Sequence, residues 1–194
     1  MANIIEGENI GEEQIEAERA IEKPPVLYHG SSNTDIEVLE PQRRSYRHPH
    51  EGSRVFATPD LALATIFMSQ SGKHSGYFED VPYVVIVEDR ETFIEKDGGG
   101  VIYVLPAEDF SCKPDKGLGV YEWTCEINVT PKEKIQYPSV LDAMIEKGIQ
   151  VYFVGQGTEE KIANSNDYGL TVLQQLESEN QKRGINFRSL RKPV

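Results

Sequence analysis

The sequence predicts an α+β fold built on a mostly antiparallel β-sheet. Candidate strands outnumber candidate helices, and the two do not alternate along the chain as they would in a doubly wound parallel sheet. A length of 194 residues suits one domain with short appendages, and an apolar content of 38% is enough to form a packed core. We therefore expect a single domain over residues 25–194, preceded by an acidic appendage over residues 1–24.

The chain is predicted to begin with a helix followed by a short strand. Residues 10–22 have a sparse apolar face at helical spacing, and Pro24 and Pro25 follow it, where the helical ladder cannot continue. This helix either packs on the domain or remains a loose acidic appendage. Residues 26–28 then form an apolar strand that runs into His29 and the small residues after it.

A second strand and a helix are predicted next. Residues 54–57 form the strand. Thr58 is in the position of an N-cap, Pro59 suits the first helical position and Asp60 suits the first turn. The helix is expected to end near the serine- and glycine-rich residues 69–76.

The second half of the chain is predicted to hold most of the strands. The glycine run at residues 98–100 favours a hairpin turn, and the loop over residues 106–119 is long enough to carry function. The expected strands are 83–87, 93–95, 101–105, 120–129 and 149–154, and the expected helices are 139–147 and 168–181.

Charge and hydropathy exclude some classes of function. A formal net charge of −12 argues against general nucleic-acid binding, because an acidic surface repels phosphate. Basic residues concentrate in two places, residues 41–54 and residues 181–194. No apolar stretch approaches the roughly 18 residues of a membrane-spanning helix, and the N-terminus lacks the features of a secretory signal.

Cysteine and histidine usage does not suggest a structural metal site. Cys112 and Cys125 are not in a C-x-x-C pair, so we expect reduced thiols and a cytoplasmic protein. His48 and His50 flank a proline at i, i+2 spacing, which is typical of a solvated loop and also compatible with a weakly held metal ion.

Three short segments carry the residues best suited to chemistry. His29 can donate and accept hydrogen bonds, and Gly30 after it lets a ligand approach the main chain closely enough to bond a planar carboxamide. Glu122 lies in an aromatic segment where burial of a carboxylate is costly unless it binds something. Phe56 and Phe67 can stack on a flat ring. Each residue also has a purely structural interpretation. His29 could satisfy hydrogen bonds at the strand end, Glu122 could pair with an arginine, and Phe56 and Phe67 could belong to the core.

In this order, the segments 27–31, 54–58 and 120–124 resemble the ADP-ribosyltransferase superfamily, in the branch of diphtheria toxin and the poly(ADP-ribose) polymerases. That branch has a His-Gly dipeptide at the end of its first core strand, an aromatic strand followed by a helix with a stacking tyrosine, and a later glutamate. The resemblance covers roughly residues 26–135. It implies a split, mostly antiparallel sheet with flanking helices, and NAD as the substrate.

The resemblance also implies a role for each matched residue. His29 would bond the adenosine-side ribose of NAD, and Gly30 would clamp the nicotinamide amide through its main chain, with Ser31 in the same binding segment. Phe56 and Phe67 occupy the region of the stacking tyrosine, although the hydroxyl is missing at Phe67.

The carboxylate implied by the resemblance is Glu122. It would orient the nicotinamide ribose and polarise the scissile N-glycosidic bond. Glu126 is an alternative to Glu122 on the same strand face, and Tyr77, in the loop expected after the helix, is an alternative ring-stacking residue.

An arginine cluster is a candidate for binding the pyrophosphate of NAD. The planar guanidinium fork matches phosphate oxygens, although such a cluster is also common in solvated loops. The residues are Arg43, Arg44, Arg47 and Arg54.

These residues lead to three hypotheses about function. The first is an enzyme that cleaves the nicotinamide–ribose bond of NAD and transfers ADP-ribose to a macromolecule, expected to be a protein, or to water. The second is a binding protein that keeps the fold without the chemistry. The third is transfer to a phosphorylated RNA end, against which the net charge of −12 argues.

Overall fold

The computed structural model describes residues 21–44, 52–78, 81–115, 117–167 and 169–182. Within these ranges the chain is an α+β fold with three small, mostly antiparallel sheets and five α-helices. This confirms the predicted α+β class and the mostly antiparallel pairing, although the strands divide among three sheets. The strands are β1 (Val26–Ser31), β2 (Arg43–Arg44), β3 (Ser53–Ala57), β4 (Lys73–Phe78), β5 (Val81–Ile86), β6 (Gly100–Pro106), β7 (Ser111–Cys112), β8 (Trp123–Cys125), β9 (Glu133–Tyr137) and β10 (Gln150–Phe153). The helices are α1 (Leu61–Ile66), α2 (Arg90–Lys96), α3 (Val140–Glu146), α4 (Gln156–Ala163) and α5 (Leu170–Lys182).

The first sheet has the order β1-β6-β9, with β6 in the centre. The antiparallel ladder of β1 and β6 runs from the pair Val26–Pro106 to the pair Ser31–Val101, so it includes every residue of β1. Strand β6 is buried on both faces because a separate apolar cluster packs against each face. This ladder is the rigid support of the His29–Gly30 segment.

The other two sheets flank the first. The order β10-β5-β4 combines a parallel pair, β10 with β5, and an antiparallel pair, β5 with β4. The order β2-β3-β8-β7 is antiparallel throughout. One isolated bridge, between Tyr28 and Thr58, connects the first sheet to the chain directly after β3.

Apolar side chains pack in three clusters around these sheets. One lies between α1, α3 and strands β5 and β6, and includes Ile66 and Met144. A second lies on the opposite face of β1 and β6, and includes Leu105 and Trp123. The third lies under α4 and α5 and includes Leu173. Cys112 and Cys125 are free thiols, as expected.

The predicted start of the first described helix was wrong by two residues. Thr58 is not the N-cap, because its main-chain N–H and C=O are used in the bridge to Tyr28. Asp60 caps α1 instead, and its side chain accepts hydrogen bonds from the N–H groups of Ala62 and Leu63. The helix ends at Ile66, and the small residues expected to form a loop include strand β4.

Two predicted strands were also wrong. Residues 93–95 belong to α2, because Asp89 caps that helix through the N–H of Thr92, and the glycine run therefore connects a helix to β6. In residues 120–129 only β8 is a strand, since a 3₁₀ turn over Gly119–Tyr121 precedes it. Glu122 therefore lies between the turn and the strand.

The remaining elements agree with prediction in part. Helix α3 lies within the predicted range 139–147, with Ser139 as its N-cap and Gly148 at φ 87° after its end. Strand β9 and helix α4 were not predicted. The helix expected at residues 10–22 lies outside the described residues, apart from its last two, which are not helical.

Candidate functional site

The distinctive feature of the fold is an opening between strands β1 and β3. The Tyr28 N–H donates to the Thr58 carbonyl at 2.8 Å, and the Thr58 N–H donates to the Tyr28 carbonyl at 2.9 Å. In the antiparallel register the next facing pair would be Gly30 and Phe56, but in the described part of the chain this edge of β1 has the one bridge only. We call the opening between Gly30 and Phe56 the fork.

Gly30 presents main-chain hydrogen-bonding groups to the fork. Along a strand the N–H and C=O groups of residues two apart point to the same edge. Because those of Tyr28 point to Thr58, those of Gly30 point to the same side, away from β6. The fork therefore offers a donor and an acceptor on one residue, which is the arrangement a planar carboxamide requires.

Gly30 also packs directly against helix α1. A Cβ atom added at this position would lie 1.9 Å from the main-chain oxygen of Ala64 and 3.3 Å from Cβ of Phe67. No other residue type fits there without displacing the helix. The glycine that the resemblance singled out is thus required by packing, and its contact brings Phe67 to the fork.

The two predicted stacking residues lie close to Gly30, one at the end of α1 and one on β3. Phe67 follows the last residue of α1, and 42% of it is exposed although its neighbours Ile66 and Met68 are fully buried. Phe56 is half-buried on β3 and is the residue that would face Gly30 if the ladder continued. A flat ring in the fork would have one aromatic side chain within reach from β3 and one from the end of α1.

The His29 side chain forms a hydrogen bond across the fork. Its Nδ1 atom lies 2.7 Å from the main-chain oxygen of Phe56, and because a carbonyl oxygen only accepts, Nδ1 donates. The imidazole ring is tilted at 6.4 Å from the ring of Tyr103. His29 therefore takes the carbonyl that a strand partner would otherwise bond. Ser31, two residues after His29, accepts a hydrogen bond from the N–H of Asn33 through its hydroxyl.

Glu122 lies beside the bridge on the far side of β3. Trp123 faces Ala57 in the β3–β8 ladder, so extending that register by one residue brings Glu122 next to Thr58. The Glu122 carboxylate packs on Gly117, where a Cβ would be 2.0 Å from Oε1 and φ is +57°.

Burial raises the pKa of the nearby Cys112 thiol, and the negative charge of Glu122 raises it further. The thiol therefore stays protonated and is a poor nucleophile.

The alternative carboxylate, Glu126, is engaged in an ion pair. Its Oε1 lies 2.6 Å from Nη1 of Arg54, and the two residues face each other across β3 and β8. The pair is asymmetric, since the Arg54 side chain is 10% exposed and that of Glu126 is 71% exposed. Nε of Arg54 is buried and has no hydrogen-bond partner among the described residues.

The structure brings part of the arginine cluster together. Arg43 is opposite Arg54, and Arg44 is opposite Ser53, in the ladder of β2 and β3. Arg47, together with His48 and His50, lies outside the described residues. Arg54 is paired with Glu126, so it would bind a phosphate only by exchanging Glu126 for that phosphate.

Sequence reasoning did not foresee a pair of stacked tyrosines near the fork. The rings of Tyr77, on β4, and Tyr121 are 4.9 Å apart with an interplanar angle of 23°. The Tyr77 hydroxyl donates to Oδ2 of Asp60, the cap of α1, at 2.8 Å. Partial burial raises the pKa of Tyr77, and the bond to Asp60 raises it further, so this hydroxyl stays protonated. Tyr77 was expected in a loop, and no local pattern indicates its long-range partners.

A separate groove of about 690 Å³ lies at the carboxyl ends of β5 and β10. Its lining includes Lys73 and the acidic residues Glu88, Asp89 and Glu159, and it includes neither Gly30 nor Phe67. Among the described residues there is no group of three side chains able to hold a metal ion, and no helix long and apolar enough to cross a membrane.

A scan against protein-family models and searches of curated proteins and solved structures returned no match. The inferences about function therefore rest on the chain's own residues and on the sequence resemblance.

Proposed function

We propose that this chain binds NAD at the fork and cleaves its nicotinamide–ribose bond, with transfer of ADP-ribose to a macromolecule, expected to be a protein, or to water. The observation that carries the proposal is the opening of β1 from β3 after a single bridge, with Gly30 on its edge. We further propose that the sheets around the fork are the split sheet of an ADP-ribosyltransferase core.

Binding of the nicotinamide would use the open edge of β1. The carboxamide accepts from the N–H of Gly30 and donates to its C=O, while the ring stacks on the exposed side chain of Phe67. Phe56 lines the fork from β3, and His29, already bonded to the Phe56 carbonyl, maintains the width of the opening. The main-chain clamp favours a planar amide over rings that lack one.

Glu122 is the residue we assign to the reacting centre. The strand spacing across Thr58 and two residues along β1 separate the Cα atoms of Gly30 and Glu122 by about 12 Å. A nicotinamide riboside and a glutamate side chain together span that distance. The C1′–N1 bond breaks, both electrons stay on the ring nitrogen, and the ribose becomes oxocarbenium-like. The carboxylate stabilises this positive charge until the acceptor bonds C1′ and loses its proton.

Proton NMR of NAD incubated with the protein tests the proposal. We expect free nicotinamide to appear with wild type and with the control Glu133→Gln, whose side chain is exposed on β9. Glu122→Gln should reduce the rate by at least about a hundredfold, because it removes the charge opposite the developing cation. Loss of the reaction in Glu126→Gln but not in Glu122→Gln would assign the role to Glu126. Unchanged NAD signals with wild type would contradict the proposal.

A second candidate function is binding without turnover. It is favoured by the packing of the Glu122 carboxylate on Gly117 and by the missing hydroxyl at Phe67. In that case the NAD signals would broaden equally with wild type and Glu122→Gln, and no nicotinamide would form.

A further inference from the structure

Lys73 holds a positive charge over the ring of Phe67. Its Nζ atom lies 5.4 Å from the centroid of that ring. The ammonium donates to the Ile66 carbonyl at 2.7 Å and to the Ser69 carbonyl at 2.9 Å, both at the carboxyl end of α1. These two hydrogen bonds fix the position of the ammonium, whereas the ammonium of an ordinary surface lysine moves freely in solvent. The charge is therefore a constant part of the surroundings of Phe67.

The proposed ligand changes its own charge during the reaction. In NAD the nicotinamide ring is a pyridinium cation, whereas free nicotinamide is neutral. A cation stacked on the exposed part of the Phe67 ring would lie about 9 Å from Nζ of Lys73, given ordinary stacking separations. The neutral ring has no such repulsion.

We propose that Lys73 makes the Phe67 site selective for the neutral nicotinamide ring, an inference that rests on the proposed function. Lys73 thereby favours the step in which the ring loses its positive charge. When the C1′–N1 bond breaks, both electrons remain on N1, the ring becomes neutral and the positive charge moves to the ribose. Lys73 destabilises the cationic ring before the step and has little effect on the neutral ring after it. It is a positioning residue, since it acts through the ring of Phe67 without touching the ligand.

The expected size of the effect follows from Coulomb's law. Two unit charges about 9 Å apart, at an effective dielectric constant of roughly 20 to 40, repel enough to change an equilibrium constant by about five- to twentyfold. An effect of this size is measurable as a ratio of two dissociation constants on the same protein. Such a ratio cancels any general loosening of the site.

The test compares a cationic and a neutral ligand of the same shape. NMR titration gives the dissociation constants of N-methylnicotinamide, the cation, and of nicotinamide. We expect Lys73→Met to lower the cation-to-neutral ratio of these constants by about five- to twentyfold. Lys73→Arg should retain the wild-type ratio, because it retains the charge. Lys147→Met is the matched control, since Nζ of Lys147 lies 6.0 Å from the ring of Tyr137, outside the proposed site.

Lys73→Gln provides a second neutral variant that can still donate to the two carbonyls, in case Lys73→Met does not fold. Binding of both ligands with a ratio unchanged in Lys73→Met and Lys73→Gln would overturn this inference and leave the proposed site intact. Failure of wild type to bind either ligand would overturn both the inference and the proposed function.

Discussion

The two edges of strand β1 are treated differently by the fold. On the β6 side every residue of β1 is paired, and the side chains of Leu27 and Leu105 are fully buried. On the β3 side the described chain makes one bridge, and beyond it the main chain of Gly30 faces the fork. The paired edge stabilises the fold and fixes the position of β1. The open edge can therefore present main-chain groups that are not paired with another strand. The comparison teaches that stabilising contacts and the proposed binding groups lie on opposite edges of a single strand.

The largest expected effect is on the paired edge. Leu105→Ala removes a fully buried side chain of β6 and leaves a cavity in the second cluster. We expect the free energy of unfolding to fall by about 3 kcal/mol. Chemical denaturation measures this, with Ile94→Ala as the control because Ile94 is exposed on α2. Equal losses in the two variants would contradict the assignment of stability to this edge.

The next effect is at the open edge itself. Gly30→Ala introduces a Cβ at 1.9 Å from the Ala64 carbonyl oxygen, so α1 must shift. We expect a loss of about 2 kcal/mol in the free energy of unfolding, and loss of nicotinamide binding because Phe67 moves with the helix. Gly155→Ala is the matched control, since a Cβ there meets nothing within 4 Å. Unaltered binding in Gly30→Ala would mean that the fork is not the site.

A third prediction concerns the turn that leads into β6. Burial raises the pKa of Asp97, but hydrogen bonds from the N–H groups of Val140, Leu141 and Gly99 and from the Ser139 hydroxyl outweigh it, so the pKa lies below its ordinary value. The carboxylate therefore stabilises the fold above about pH 4, and this contribution is lost as the pH falls through the lowered pKa.

Asp97→Asn should cost about 1–2 kcal/mol at neutral pH, because the amide accepts fewer of these bonds. Denaturation curves from pH 7 down to pH 3 measure the difference between the variant and wild type. The difference should shrink at the acid end. A difference that stays constant over this range would contradict the role assigned to the ionised carboxylate.

The smallest expected effect is at His29. His29→Phe keeps a ring beside Tyr103 but removes the hydrogen bond to the Phe56 carbonyl. We expect a loss of about 1 kcal/mol in the free energy of unfolding, and a larger relative loss of NAD affinity, because the width of the fork is no longer held. Isothermal titration of NAD, run beside denaturation, separates the two effects. Equal affinity in wild type and variant would assign His29 to structure alone.

Much of the fold could be predicted because its signals are local. The apolar run over β1 and the glycine that ends α3 each act within a few residues of the element they define. The fold class followed from the order of such segments. The failures have tertiary causes. Thr58 was mistaken for a cap because its bridge to Tyr28, thirty residues away, is invisible to local pattern.

The candidate site was predicted in composition but not in arrangement. Gly30 and Phe67 were both selected, yet their contact depends on how α1 packs across β1. The sequence offered Glu126 as an alternative to Glu122, and the ion pair of Glu126 with Arg54 depends on the β3–β8 register. The stacked pair Tyr77–Tyr121 joins two segments far apart in sequence, so no spacing indicates it.

The most direct test of the central claim is to observe the main-chain amide of Gly30 while nicotinamide is added. In ¹⁵N-labelled protein we expect the Gly30 amide signal to shift with ligand concentration, together with that of Phe67, while amides on the paired edge such as that of Leu27 stay in place. Shifts confined to the groove around Glu88 and Gln156, with Gly30 unmoved, would contradict the claim that the open edge of β1 is the binding site.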